Sequence, residues 1–447
     1  MIKVITYGTY DLLHYGHINL LKRAKALGDY LIVGVTADTF DRERGKINVQ
    51  QSLIERISAV KATGLADEII VEEYEGQKID DIKRYDVDIF TVGSDWIGKF
   101  DYLQEFCRVV YLDRTEGVSS SELRAGRRDI HIGLLGESPI LNKFERESHF
   151  VNGLAISGVC TTDDIYLSDT LKHLPCVTDD IDKLLDVSDA LYIISTPEKH
   201  YEHISQALLR GKHVLCESPV AIDDREWHEL MNIAAERHLV LMDSLKTAYS
   251  TAYYRLCLLA KSGIIGKIVS VDATCTSLYN FEMHNDFNLS NFWNSICAWG
   301  PTALLPIFQL LGTDYKKKII STHLLKEDSS FDTFTKISFI YPHAVASMKV
   351  GQGVKSEGEL VISGTKGYIY VPAPWWKTDY FEVRYENSAE NKRYFYQLDG
   401  EGIRYELLSF IKSILSGSSF SYVDSETSNA ISRIISDFYN RVDTVII

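Results

Sequence analysis

No apolar run in this chain approaches the roughly 20 residues that a helix needs to cross a bilayer, so the sequence argues against membrane insertion. The opening Met1-Ile2-Lys3-Val4-Ile5-Thr6-Tyr7 has no charged head, long apolar stretch or small-residue cleavage site. It lacks the marks of a signal peptide and reads as a first β-strand of a cytoplasmic protein. The seven cysteines are odd in number and scattered, with no C-x-x-C pair, which fits isolated reduced thiols. Positive charge is in deficit: the formal net charge of -15 argues against duplex nucleic acid or an anionic membrane as the main partner. Small phosphates stay open, because they need only a local cluster of positive groups. No short-period repeat or low-complexity tract is visible.

What is present is length and alternation. A chain of 447 residues, 45% apolar, is too long for one ordinary core and calls for two or three domains. Strand-like runs such as Tyr30-Leu31-Ile32-Val33-Gly34-Val35 and Ile89-Phe90-Thr91-Val92-Gly93 alternate with helix-like segments over the first 240 residues or so. That alternation predicts βαβ units and parallel sheets. The short polar stretch Arg124 to Asp129 precedes a fresh strand, Ile130 to Leu135. From about residue 268 alternating strands suggest an antiparallel sheet. The expected class is α/β: a Rossmann-like domain over 1–128, a second over 129–245, and an α+β domain with a large, mostly antiparallel sheet over 246–447.

The chemistry concentrates at the first strand-to-helix turn. Val4-Ile5-Thr6-Tyr7 runs into Gly8-Thr9-Tyr10-Asp11-Leu12-Leu13-His14-Tyr15-Gly16-His17, followed by a periodic apolar segment with Gly28 as its expected C-cap. His14 and His17 thereby sit at the positive end of a helix, where backbone N–H groups and the dipole favour an anion. Gly16 lets a phosphate approach the backbone closely. Donors preorganised there stabilise charge that spreads over a phosphoryl centre during attack.

Residues 1 to about 125 resemble the cytidylyltransferase family, especially its glycerol-3-phosphate branch. The family's G-T-[FY]-D-x-x-H-x-G-H stretch is Gly8 to His17, and its R-T-x-G-x-S-[ST]-[ST] signature is Arg114-Thr115-Glu116-Gly117-Val118-Ser119-Ser120-Ser121. Val92 to Asp101 matches the G-x-D-W-x-G-K-F-D run of that branch. The resemblance implies transfer of a cytidylyl group from CTP to a phosphorylated alcohol by in-line displacement, with release of pyrophosphate. It assigns the CTP phosphates to Gly8, Thr9, Tyr10 and His14, Tyr15, Gly16 and His17, with Asp11 a further candidate. Lys46 would neutralise the departing pyrophosphate. Arg114, Thr115, Glu116, Gly117, Val118 and the three serines would hold the β and γ phosphates, and Gly93, Ser94 and Asp95 the base. The catalytic set so implied is His14, His17, Lys46 and Arg114. Mg²⁺ is expected with the triphosphate, not in a protein cage. Arg44, Arg56 and Lys78 match basic residues near the acceptor phosphate. One further basic position of that branch is Gly64 here, a departure that keeps a longer polyol phosphate open as acceptor.

Residues 129 to about 375 resemble the glucose–fructose oxidoreductase / inositol dehydrogenase family. Thr196-Pro197-Glu198-Lys199-His200 matches T-P-x-x-x-H, and Gly211 to Pro219 matches G-K-H-V-x-x-E-K-P. The positions that carry hydride chemistry are altered. Only Gly136 remains of the G-x-G-x-x-G fingerprint, followed by Glu137. The E-K-P lysine is Ser218, and the D-x-G-x-H-x-x-D constellation falls on Ala298 to Leu305, which keeps only its glycine. A hydroxyl cannot replace an ammonium as proton donor or electrostatic clamp.

The leading expectation is therefore a cytidylyltransferase whose second module serves structure or assembly, as a homodimer or higher oligomer, without NAD(P) chemistry. The alternative is a bifunctional chain whose second module reduces a sugar phosphate with NAD(P) and supplies the polyol phosphate. By resemblance, a CDP-alcohol would feed capsule, teichoic acid or another cell-surface polysaccharide.

Overall fold

The computed structural model describes residues 1–37, 40, 49, 51, 53–74, 76–113, 129–151, 153–279, 292–326, 329–396, 398 and 400–447. The chain divides into two compact units, Met1–Asp129 and Ile130–Ile447.

In the first unit, β1 (Lys3–Gly8), β2 (Tyr30–Thr36), β3 (Glu68–Glu72), β4 (Ile89–Gly93) and β5 (Arg108–Leu112) form one parallel sheet in the order β3-β2-β1-β4-β5. Successive strand residues face opposite sides. Val4, Leu31 and Val33 therefore join one apolar cluster with Leu21 and Ala24 of helix α1 (Tyr15–Lys25) and Val60 of α2 (Leu53–Ala62). Ile5, Tyr7, Ile32 and Phe90 join a second with Ile82 of α3 (Gln77–Tyr85). A parallel sheet covered on both faces requires strands apolar throughout, which explains their near-continuous hydrophobic runs. The strand order reverses between β1 and β4, so the carboxyl ends of these strands border a crevice at a topological switch point.

Helix α1 stops before the sequence-based expectation. It ends at Lys25, and Ala26, in right-handed conformation, is its C-cap. Gly28 has another cause: a Cβ there would lie 2.6 Å from the Ile2 carbonyl oxygen and 2.7 Å from Val4 Cγ2. It is glycine because the chain passes close beneath β1, not because the helix needs a left-handed cap.

The second unit opens with a six-stranded parallel sheet: β6 (Ile130–Leu135), β7 (Leu154–Cys160), β8 (Val177–Thr178), β9 (Ala190–Ile193), β10 (His213–Glu217) and β11 (Leu241–Ser244), ordered β11-β10-β9-β6-β7-β8. Leu191, Ile193, Val214 and Cys216 of the sheet pack with Ile204 and Leu208 of helix Pro197–Leu209 and with Trp227 and Leu230 of helix Asp224–Glu236. A nine-stranded mixed sheet follows, from β12 (Ile268–Thr276) to β20 (Thr444–Ile446). Its pairings are antiparallel except β12 with β15 (Val345–Gly351) and β13 (Lys317–Leu324) with β20. The α/β class, with two parallel sheets and a larger, mostly antiparallel one, is as the sequence predicts. Helix Ser295–Leu311 lies on β12 and β15 and carries the segment in which the dehydrogenase acids and histidine are missing. Its Trp299 packs on Trp376, with ring centroids 4.9 Å apart. The seven cysteines are free thiols. Among the described residues no helix is long and apolar enough to cross a membrane.

Candidate active site

The turn from β1 to α1 is held in an unusual path. Tyr10 and Leu12 adopt left-handed conformations, with φ of 54° and 48°, which cost non-glycine residues energy and persist only when their surroundings impose them. The surroundings are identifiable. Tyr10 is buried, its ring edge-on to His17 at 5.5 Å between centroids. Burial holds its phenol above its ordinary range, so the ring acts as a neutral wedge. Gln51 pins the outer part of the turn: its side-chain oxygen accepts from Leu12 N at 2.8 Å, and its own N–H donates to Asp11 Oδ1 at 3.0 Å.

His14 is the N-cap of α1, and its Nδ1 accepts from Gly16 N at 3.1 Å. A neutral ring bonded in this way carries its proton on Nε2. The His14 and His17 rings stack, 3.9 Å between centroids and 24° between planes. The first turn of α1 has no acidic residue, whereas Lys22, Arg23 and Lys25 occupy its last turn. The basic end complements the dipole; the amino end leaves negative charge to a ligand. Across the switch point, β4 ends at Gly93 and passes into a short 3₁₀ turn, Ser94–Trp96. Since β1 and β4 are parallel neighbours, the histidine turn and the Gly93-Ser94-Asp95 turn lie at the same edge of the sheet.

Arg56 and Lys78 are both buried. The Arg56 guanidinium donates to three backbone carbonyls: Thr9 at 2.7 Å, Thr36 at 2.8 Å and Gln51 at 3.1 Å. These bonds make it a frame for the β1–α1 turn. The Lys78 ammonium pairs with Glu72 and lies 4.8 Å from the Tyr7 ring centre and 5.4 Å from that of Phe100. Tyr7 in turn donates to Asp81 at 2.9 Å. Gln51, Thr36, Glu72 and Asp81 are absent from the sequence-based site. Thr36 and Glu72, polar residues closing apolar parallel strands at the crevice edge, were the available signal. Arg44, Lys46 and Arg114, with Thr115, Glu116, Gly117, Val118, Ser119, Ser120 and Ser121, lie outside the described residues.

Gly64 sits elsewhere. It lies in the turn between α2 and the amino end of β3, with φ of 66° and no atom of the described residues close to where a Cβ would stand. Five strand residues, roughly 16 Å at the usual rise, separate that turn from the carboxyl edge of the sheet. A side chain at position 64 borders the opposite edge of the same sheet, so the glycine has no direct bearing on the crevice of its own chain.

Comparison with known proteins then decides the family. A family description, cytidylyltransferase-like, matches residues 5–126. Glycerol-3-phosphate cytidylyltransferase of Bacillus spizizenii is 49% identical over 124 residues, which make up 95% of that protein and 28% of this chain. The enzyme of the same name from Staphylococcus aureus is 47% identical over 124 residues, 93% of its length. This chain belongs to the cytidylyltransferase family. It is a cytidylyltransferase by its first unit, and the remaining residues carry a second likeness. The description "oxidoreductase family, NAD-binding Rossmann fold" matches residues 146–244. KijD10, a 3-ketoreductase from Actinomadura kijaniata solved with NADP and TDP-benzene, superposes with a TM-score of 0.62 at 17% identity, over 72% of this chain and 99% of that one. UDP-N-acetylglucosamine 3-dehydrogenase GnnA from Acidithiobacillus ferrooxidans gives a TM-score of 0.56 at 16% identity, over 71% of this chain and 99% of that one. At such identity the likeness establishes the fold.

The turn after β6 differs from the one after β1. Glu137 follows Gly136, and its Oε1 accepts from Thr162 Oγ1 at 3.0 Å and Thr162 N at 3.3 Å. Helix Ile140–Ser148 begins with N–H groups already bonded within the turn: Ile140 to Ser138 Oγ, Leu141 to the Ser138 carbonyl, Asn142 to the Pro139 carbonyl. Glu217 accepts from Tyr192 Oη at 2.5 Å, and Ser244 Oγ lies 2.9 Å from Glu406 Oε2. Ser218 is buried beside these acids. Burial raises Asp243 to about 6 and Glu406 well above the carboxylate range, with the Glu217 charge adding to both. Both ring nitrogens of His200 lie 2.8 Å from carbonyl oxygens, of Pro219 and Ser195; burial lowers this histidine to about 4, and the neutral ring donates to one of the two.

Proposed function

We propose that the first unit transfers the cytidylyl group of CTP to glycerol 3-phosphate, giving CDP-glycerol and pyrophosphate. The observation that carries this reading is the stacked His14–His17 pair at the amino end of α1, on the switch-point edge of the sheet. In the reaction a phosphate oxygen of the acceptor bonds to the α-phosphorus of CTP, and the bond from that phosphorus to the bridging oxygen of pyrophosphate breaks. Charge spreads over the α-phosphoryl oxygens at the transition state, and imidazole N–H donors fixed beforehand bind it without reorganising. The His14 bond to Gly16 N orients one donor; stacking on His17 fixes the second. Asp11, tied to Gln51, sets the turn that carries them. Lys46 and Arg114 are assigned the departing pyrophosphate, the Thr115–Ser121 signature the β and γ phosphates, and Lys78 the acceptor. Imidazoles and amide N–H groups suit phosphate oxygens, not a bare divalent ion, so Mg²⁺ enters with the triphosphate and supplies charge neutralisation there.

The place of Gly64 at the opposite edge of the sheet supports glycerol 3-phosphate as the acceptor. Pyrophosphate release from each nucleoside triphosphate against glycerol 3-phosphate, erythritol phosphate and ribitol phosphate tests the proposal. Turnover with CTP and glycerol 3-phosphate is expected to dominate; a clear preference for ribitol phosphate, or for ATP, would defeat it.

For the remainder of the chain we infer a structural or assembly role. The residues present do not fit a dinucleotide. A carboxylate occupies the turn in which a pyrophosphate would need open N–H groups, and a serine stands where the family has its lysine. The competing reading, a reductase supplying the polyol phosphate, has the fold likeness in its favour. Fluorescence titration of the full chain with NADPH separates the two: no saturable binding up to about 1 mM is expected, a concentration at which binding would be worth only about 4 kcal/mol. Saturable binding followed by oxidation with a ketose phosphate would establish the reductase.

A further inference from the structure

We propose that Glu72 is a positioning residue for the transferase reaction, setting the acceptor-binding lysine in register with the triphosphate turn. The proposal rests on the reading of Lys78 as the acceptor cation.

Glu72 closes β3 at the carboxyl edge of the sheet and is fully buried. It touches both halves of a continuous polar chain. On one side its carboxylate pairs with the Lys78 ammonium. On the other, Oε2 accepts from Thr36 Oγ1 at 2.9 Å. Thr36 closes the neighbouring strand β2, directly across from Glu72, and its carbonyl accepts from Arg56. The same Arg56 nitrogen holds the Thr9 carbonyl, and Arg56 Nε reaches the carbonyl of Gln51, whose side chain fixes Leu12. The phosphate turn and the acceptor lysine are thus linked through Arg56, Thr36 and Glu72.

Lys78 has its own reasons to stay where it is. Its ammonium lies near the faces of Tyr7 and Phe100, where cation–π attraction favours a desolvated cation. Those rings set its depth but not its direction within the crevice, since a ring face attracts a cation over a broad area. The carboxylate supplies direction. In-line displacement demands that the attacking oxygen meet the α-phosphorus opposite the leaving pyrophosphate, and a misplacement of about 1 Å can cost on the order of a hundredfold in rate. A group that fixes the acceptor cation relative to the nucleotide turn therefore acts on kcat and on acceptor KM without touching either substrate.

The test compares Glu72→Gln, Lys78→Ala, the double variant and Thr36→Val in the full chain, with KM for glycerol 3-phosphate and for CTP measured separately. Glu72→Gln is expected to raise acceptor KM by about tenfold or more and to lower kcat, leaving KM for CTP within about twofold. Since Glu72 acts through Lys78, adding Glu72→Gln to Lys78→Ala should worsen acceptor KM by no more than about twofold. Thr36→Val keeps both charges and removes only the hydroxyl that orients Glu72. It should shift acceptor KM in the same direction by about two- to fivefold, and it carries the test if Glu72→Gln does not fold. Multiplying effects in the double variant, or equal shifts in the two KM values, would overturn the proposal. So would an unchanged acceptor KM in Glu72→Gln, or in Thr36→Val when that variant alone folds, while Lys78→Ala raises it. An acceptor KM unchanged by Lys78→Ala would instead remove the reading of Lys78, and this inference with it.

Discussion

In the first unit, the turn after the central strand presents two imidazoles and a helix end without acids; in the second, the equivalent turn is filled by its own carboxylate. Both turns leave a parallel sheet, and both lead into a helix. The difference lies in what satisfies the helix amino end. His14 caps α1 with one ring nitrogen, and Gly16 and His17 follow it. Ser138 and Pro139 satisfy the first N–H groups of helix Ile140–Ser148, and Glu137 bonds across to Thr162. Topology supplies a crevice in each case; the chemistry of five or six turn residues decides whether an anion can enter it.

The comparison breaks most sharply at the first turn. His17→Ala should lower kcat several hundredfold or more, corresponding to about 4 kcal/mol of lost transition-state stabilisation. Circular dichroism should match the unaltered protein, because the half-buried ring contributes little to the core. Pyrophosphate release at saturating CTP and glycerol 3-phosphate is the measurement. A variant that keeps a tenth of the activity would mean that the helix end alone binds the phosphate, and the stacked pair would lose its assigned role.

The second crevice can be probed through its acids. Asp243 is buried and raised from the ordinary carboxylate value near 4 to about 6, chiefly by burial. Between those two values the native protein retains a proton that the unfolded chain has released, so stability falls as pH rises through that window. Asp243→Asn removes the titration while keeping the shape. It should stabilise the protein by on the order of 2 kcal/mol at pH 7.5 and by much less at pH 4.5, read by urea unfolding at both values. Ser218 is buried beside this aspartate, and its neutral hydroxyl supplies no counter-charge once the carboxyl ionises. An equal gain at both pH values would show that the aspartate acts through packing alone.

The two units were unequally legible in the sequence. The β1–α1 turn could be read as a candidate anion site because its residue types carry their chemistry with them: two histidines around a glycine, after a strand and before a helix. The supporting layer could not. Gln51 lies forty residues from Asp11 and reaches it through one backbone N–H, and Arg56 uses its guanidinium on carbonyl oxygens that every residue possesses. A carbonyl acceptor leaves no mark in a sequence. Gly28 was legible as a glycine needed for its backbone but assigned the wrong need, since helix caps and close approaches to a neighbouring strand select the same residue. In the second unit, the loss of glycines and lysine was visible, whereas the bond from Glu137 to Thr162 depends on bringing together the ends of β6 and β7.

The smallest expected effect tests whether one edge of the first sheet carries the whole reaction. Gly64 stands at the amino edge, and its left-handed φ of 66° disfavours any side chain. Gly64→Arg should cost about 1 kcal/mol of stability from that conformation. Within one chain it should leave KM for glycerol 3-phosphate within about twofold, because the added guanidinium would have to reach roughly 16 Å along β3 to meet the crevice. Parallel measurements of thermal stability and acceptor KM check both halves. A large drop in acceptor KM would require the arginine to reach a crevice from outside its own sheet edge, and only a second copy of the chain could offer one at that distance. The variant therefore reads out geometry in either outcome: indifference assigns acceptor recognition to the carboxyl edge alone, and gain of affinity makes the crevice a property of two chains.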